Sequence, residues 1–349
     1  MRYYKIFLFT LLSGLLLTSC HDNDNKKDYQ FDKGKGIFII NEGIWSQANA
    51  SVDFYNFDSD SLYSDIFYNT NSARIGDILQ SMFQDGDNSY LVVNNSGIIH
   101  KVSTKDFVRK DTITGFISPR KMIKINDNKA YVSDLFAGKI YIISLTANKI
   151  TGEIPTGRWV ENFVMNNNKV YASCPSEYGK PESTKLLILD TSTDKLIDSI
   201  SVGINPMNMV IDKNGYLWTL CNGNQYSGIK GSIYKTDLST NTNVDSFNFE
   251  EVMTTYNSSL KINSPKDTLY FLYNNVYKIP VNSSSLLPQI VIQNESQNFY
   301  GMNIDDSRNL IYVTDAPFTG KGSLYIYSKA GKLNKTLKAG YYPNSVEIY

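Results

Sequence analysis

Residues 118–154 read SPRKMIKINDNKAYVSDLFAGKIYIISLTANKITGEI, and they hold one complete structural unit. A short strand begins at Pro119 and ends in the polar turn Asn126-Asp127-Asn128-Lys129. Such residues tolerate the backbone angles of tight hairpins. A second strand follows, anchored by Tyr131. Beyond a loop comes a third, Lys139-Ile140-Tyr141-Ile142-Ile143, and a second short turn leads to a fourth.

The same unit recurs on both sides. Aromatic anchors stand at Phe38, Tyr90, Tyr131, Tyr171, Trp218, Tyr270 and Tyr312, at intervals of 52, 41, 40, 47, 52 and 42 residues. That is the period of a four-stranded propeller blade. Equivalent turns precede the other anchors, among them Asp85-Gly86-Asp87-Asn88, Asn166-Asn167-Asn168-Lys169 and Asp212-Lys213-Asn214-Gly215. First strands begin near Asp77, Pro119, Glu161, Pro206, Asn257, Tyr300 and Pro343, and nothing follows the last of these. The N-terminal unit, from Gly36 to Phe67, has three strands and lacks a first. The expected fold is therefore all-β: a seven-bladed β-propeller over residues 36–349. The C-terminal strand completes the N-terminal blade, which removes open sheet edges. The best helical window, Phe249 to Tyr256, is short and lies in a connection.

The N-terminus reads as a processing signal. Arg2 and Lys5 precede an apolar run from Ile6 to Leu17, too short to span a bilayer comfortably, and Leu17-Thr18-Ser19-Cys20 forms a lipobox. Residues 1–19 are expected to be a lipoprotein signal peptide, with Cys20 the lipidated residue. Residues 20–35 would be a tether, beginning with the polar run His21 to Asp28. The lipid would be the only membrane anchor. Acidic residues just after Cys20 resemble the surface-export signal of Bacteroides-group lipoproteins; a plain periplasmic linker is the other reading. The expected location is the outer membrane, at the cell surface.

The chain holds 34 basic and 34 acidic residues, and losing Arg2 and Lys5 leaves it near neutrality. No long basic stripe is present, which argues against nucleic acid. Tyr is abundant, 25 against 3 Trp, as suits strands and ligand-facing loops. Cys174 and Cys221 occupy equivalent strand ends in neighbouring units, either as a disulfide or as two buried thiols.

Catalytic candidates are few. Of two histidines, His21 lies in the tether and His100 alternates with apolar residues, which reads as a solvent-facing strand position. No metal-ligand spacing and no nucleophile elbow occurs. An enzyme is not expected, and neither a cofactor nor a metal.

The long loops share one face, alternating with tight turns on the other. They carry Trp45, Phe116, Phe136, Trp159, Tyr178, Tyr226, Tyr256, Phe299, Tyr300, Phe318, Tyr341 and Tyr342, together with Arg74, Arg120 and Arg158. Rings flanked by amides such as Asn222 and Asn224 suit a large amphipathic small molecule, with Arg available for carboxylate or phosphate. Phe116, Phe299 and Tyr342 adjoin first strands and stand equally as packing between blades. Arg74 and Arg120 stand equally as ties between blades. Tyr178 and Tyr226 lie in Gly/Ser-rich loops with no packing pattern.

Residues 36–43 (GIFIINEG), 49–52 (NASV), 76–82 (GDILQSM), 118–120 (SPR) and 217–223 (LWTLCNG) resemble the YncE-like propeller lipoproteins of Bacteroides, over essentially the whole mature chain. Members of that family capture cobalamin (vitamin B12) at the cell surface and pass it to a TonB-dependent transporter. The resemblance implies such a small-molecule ligand and such a partner here. Capture of an iron-siderophore complex, or a glycan- or protein-binding adhesion role, remain the alternatives.

Overall fold

The computed structural model describes residues 34–349 apart from 284 and 296. Signal peptide, Cys20 and nearly all of the expected tether lie outside the described residues. The aromatic anchors explain the architecture. Each sits on the second strand of its sheet and is almost fully buried, from Phe38 at 0% exposed to Tyr270 at 7%. Burying a ring of that size contributes roughly 2–3 kcal/mol, and it does so between blades. Tyr131, for example, packs with Ile140 of its own blade and with Val170, Ala172 and Leu189 of the next. Several anchors also satisfy their polar ends. Trp218 Nε1 donates to Asp212 Oδ2 at 2.8 Å, and the Tyr312 hydroxyl to Asp305 Oδ2 at 3.0 Å.

Seven four-stranded antiparallel sheets result. Blades 2 to 7 take their inner strands from Leu79–Asp85, Pro119–Lys124, Phe163–Asn166, Pro206–Ile211, Ser259–Ile262 and Phe299–Asp305. Blade 1 takes its own from the far end of the chain. Pro343–Ile348 pairs antiparallel with Gly36–Asn41, with Phe38 opposite Glu347 and Ile39 opposite Val346. The hairpin turns take positive φ where expected, as at Gly86 (56°), Asn167 (53°) and Gly215 (84°).

A second ring of bonds locks the blades around the axis. From each blade a short polar side chain donates to a carbonyl of the next: Ser81 to Arg120 O (2.7 Å), Ser133 to Glu161 O (2.8 Å) and Ser173 to Met207 O (3.0 Å). Asn208 continues it to Ser258 O (3.2 Å), Ser259 to Met302 O (3.2 Å) and Asn303 to Val346 O (2.7 Å). Asn344 closes it to Gln80 O at 3.0 Å. Near the axis backbones crowd so closely that a Cβ on Gly301 would lie 1.8 Å from the Asn344 carbonyl oxygen.

Two local readings need correction. His100 is 4% exposed, not solvent-facing. Its ring packs on Phe67 at 5.2 Å, and its nitrogens bond Thr112 Oγ1 and Ile75 O, both at 2.9 Å. Burial lowers its pKa. Phe249–Tyr256 is not helical; Phe249 instead stacks on Tyr273 at 3.9 Å. The short helix lies at Ile66–Asn71, in blade 1, where Ile66 and Phe67 fill the space beside a three-residue outer strand. Of the two readings offered for Cys174 and Cys221, the structure shows the second: they are separate buried thiols, each pushed up to about 12 by burial.

Candidate functional site

Two loops build most of a cleft of ≈ 810 Å³. The first follows Lys169–Ser173. Asn205 Oδ1 accepts the Ser176 N–H at 3.1 Å, and the Ser183 hydroxyl donates to the Cys174 carbonyl at 2.7 Å. These bonds fix a turn whose tip presents Tyr178, 97% exposed. The second loop follows Tyr216–Cys221. Asn224 caps a single 3-10 turn, Gln225–Ser227, accepting the N–H groups of Tyr226 (2.9 Å) and Ser227 (3.2 Å). Gly228, with φ of 70°, ends the turn. Tyr226 is thereby held 90% exposed. Both tyrosines are unpacked rings on ordered backbone. Trp159 and Tyr256 also line the cleft, and Phe136 packs edge-on against Trp159 at 5.1 Å.

Towards the axis the lining turns polar. Arg120 Nε donates to Glu161 Oε2 at 2.7 Å and Nη2 to Glu161 Oε1 at 3.0 Å, a bidentate pair, while Nη1 donates to Gln80. Burial alone would lower the guanidinium pKa. The Glu161 carboxylate more than offsets that, with help from Glu42 and Tyr300, and holds the group charged. Lys180, the other cation of the lining, pairs with Glu177 at 2.6 Å. Glu182 accepts from the Asn224 amide. Each cation of the described lining therefore already faces a carboxylate. The cleft suits an uncharged or cationic ligand with flat faces.

Tyr256 is shared with a smaller cavity of ≈ 100 Å³, also lined by Tyr300, Phe318 and Tyr342. Tyr256 lies over Tyr300 at 6.0 Å and edge-on to Phe318 at 5.7 Å. Beneath, the Tyr300 hydroxyl and the Asn344 amide each donate to Glu42, at 2.9 Å. Burial raises the Glu42 carboxyl above its ordinary range, and burial with Glu42 beside it pushes the Tyr300 phenol well up.

The structure thus brings together Arg120, Trp159, Tyr178, Asn222, Asn224, Tyr226 and Tyr256 in the large cleft, and Tyr256, Tyr300, Phe318 and Tyr342 in the small one. Trp45, Arg74, Phe136 and Arg158 line neither, Phe136 touching the large cleft only through its contact with Trp159. Trp45 is 60% exposed on its own loop, and Arg74 lies over the Tyr68 ring at 5.3 Å. Arg120 is an inter-blade tie. Asn222 is buried, its carbonyl accepting from the Ser258 hydroxyl at 2.6 Å. Glu177, Glu182 and Asn205 were not anticipated. They are the supports of the two tyrosine loops, and their spacing carried no motif.

Fold and site together define a seven-bladed propeller with a ligand-sized, aromatic-rimmed cleft on its loop face. The chain belongs to the family described as DUF5074, a domain of unknown function, matched over residues 35–349. No curated protein matches it. Among solved structures, a quinoprotein alcohol dehydrogenase-like protein from Bacteroides thetaiotaomicron is similar, with TM-score 0.69 and 16% identity, covering 92% of this chain and 79% of that one. A 6-phosphogluconolactonase-like protein from Bacteroides uniformis gives TM-score 0.67 at 12% identity, covering 91% and 100%. The Pseudomonas aeruginosa periplasmic gluconolactonase gives 0.67 at 8%, covering 90% and 98%. Such low identities show a shared fold and carry no activity across.

Proposed function

We propose that this protein is a ligand-capture propeller, anchored through Cys20 to the outer membrane, that binds a large uncharged ring-bearing nutrient in its loop-face cleft for a TonB-dependent transporter. The observation that supports it most is the pair of exposed tyrosines, Tyr178 and Tyr226, standing on hydrogen-bonded turns at the rim of one ≈ 810 Å³ cleft. Lone exposed rings are ordinary, but several converging on one cavity mark a binding surface. A corrinoid such as cobalamin is the first candidate. It is broad and bears amide arms, and cyanocobalamin is neutral overall, which agrees with a lining whose cations are already paired. The same lining disfavours anionic ferric siderophores. A glycan is the second reading, because flat tyrosines beside Glu177 and Glu182 are also sugar-binding chemistry.

Calorimetry with cyanocobalamin tests the first reading. Binding is expected, and replacing Tyr178 and Tyr226 together with Ala should weaken it by roughly 2 kcal/mol, as for aromatic anchors of a contact centre. No heat with any corrinoid, but heat with oligosaccharides, would transfer the cleft to the glycan reading. The anchor is tested separately: Cys20→Ala should move the protein from the membrane to the soluble fraction. Unchanged retention without lipid would defeat it.

A further inference from the structure

Below the cleft, along the propeller axis, runs a second cavity of ≈ 300 Å³ that shares Glu161, Met207 and Asn257 with it. Arg120 and Lys121 are neighbours on one inner strand, yet Arg120 lines the cleft and Lys121 the channel. Lys261, from the inner strand of blade 6, and Glu347, from that of blade 1, also line the channel. Among the described residues neither lysine forms a salt bridge, and Glu161 is already engaged by Arg120. Two cations therefore share the channel with one carboxylate that is not in ion-pair contact with either.

The walls are mixed. Met82, Met122, Met207, Met209 and Met302 line the same space together with Ser and Asn side chains. Lys121, Lys261 and Glu347 are each half-buried, so the charges act on one another through a confined, partly hydrated space in which they are screened less than in bulk water. Burial lowers the Lys121 pKa, and the charges of Lys261 and Arg120 lower it further against the opposing pull of Glu161 and Glu347. Burial likewise raises that of Glu347. Both groups are pushed towards neutrality, which a satisfied ion pair would not be.

We propose that the axial channel is a binding site for a small oxyanion, such as phosphate or sulfate, held between Lys121 and Lys261 and screened from Glu347 by water. The volume is ample: a water takes about 30 Å³, so an oxyanion and several waters fit together. The Arg120–Glu161 pair lies between channel and cleft, so the anion acts as a structural ligand of the ring, independent of cargo.

The probe is inorganic phosphate, titrated by calorimetry and by thermal melting at fixed ionic strength with chloride as the balancing anion. Saturable binding and a saturable rise in Tm are expected for the intact protein. Lys121→Met with Lys261→Met should abolish both. Glu347→Gln should tighten phosphate several-fold, because it removes the lining carboxylate that has no ion-pair partner, Glu161 being held by Arg120; a purely structural role for these residues predicts no such gain. A rise in Tm that never saturates and is the same in the double lysine variant would mean general salt exclusion and would overturn the site. Should the lysine variant not fold, Glu347→Gln decides: unchanged phosphate affinity overturns the proposal.

Discussion

Single residues in this ring do work that their neighbours in sequence do not announce. Asp53 is 3% exposed on the third strand of blade 1, accepting the Asn41 amide at 2.9 Å and the Asp65 N–H at 2.8 Å. Burial raises its pKa to about 6 despite those bonds. A folded pKa above the unfolded one means that the folded state holds the extra proton between about pH 4 and 6. The stability contributed is thus full below about pH 4 and is lost as pH rises through about 6. Two units correspond to on the order of 2–3 kcal/mol. Asp53→Asn removes that titration, so its stability relative to the natural protein should rise between pH 4 and 7 in urea melts; parallel pH profiles would contradict this. Arg120 shows where sequence reading divides. A loop-face arginine beside a first strand fits a ligand contact or an inter-blade tie equally, and only Glu161, 41 positions away, decides for the tie.

At the scale of strands and loops, periodicity carried most of the information. Second strands were legible because a large ring must recur wherever two blades press together. Hairpin turns were legible because Asn, Asp and Gly are needed at positive φ. The helix at Ile66–Asn71 was not, since six residues give too little of a 3.6-residue pattern, and Ile66 and Phe67 read equally as a strand end. Tyr178 and Tyr226 were found as rings lacking a packing partner, but the loops that aim them depend on Asn205, Glu177 and Asn224, whose roles are set in space. Asn224→Ala tests this directly. Losing the cap should cost about 1 kcal/mol locally and, on the proposed function, weaken ligand binding by freeing Tyr226, while the global Tm stays within a degree or two. A large fall in Tm would mean that the 3-10 turn is part of the blade core rather than a mount for one ring.

For the whole molecule, closure is the feature on which most depends. Deleting residues 345–349 would remove most of the inner strand of blade 1 and its ladder to Gly36–Asn41. It would also delete Val346, the acceptor of the Asn303 bond. The truncated protein should melt far below the intact one; a difference of a degree or two would show that the ring holds without its clasp. The clasp also dictates a timetable. The Asn344–Glu42 bond joins positions 302 residues apart, and contacts so distant in sequence are slow to form. Blades 2 to 7 can each assemble from consecutive strands as the chain is made, whereas blade 1 must wait for Pro343–Ile348. Until then Gly36–Asn41 offers a bare edge to any strand it meets. A newly made chain therefore passes through an interval in which its first blade can be captured by another molecule, and whatever shields that edge raises the share of chains that reach the finished ring.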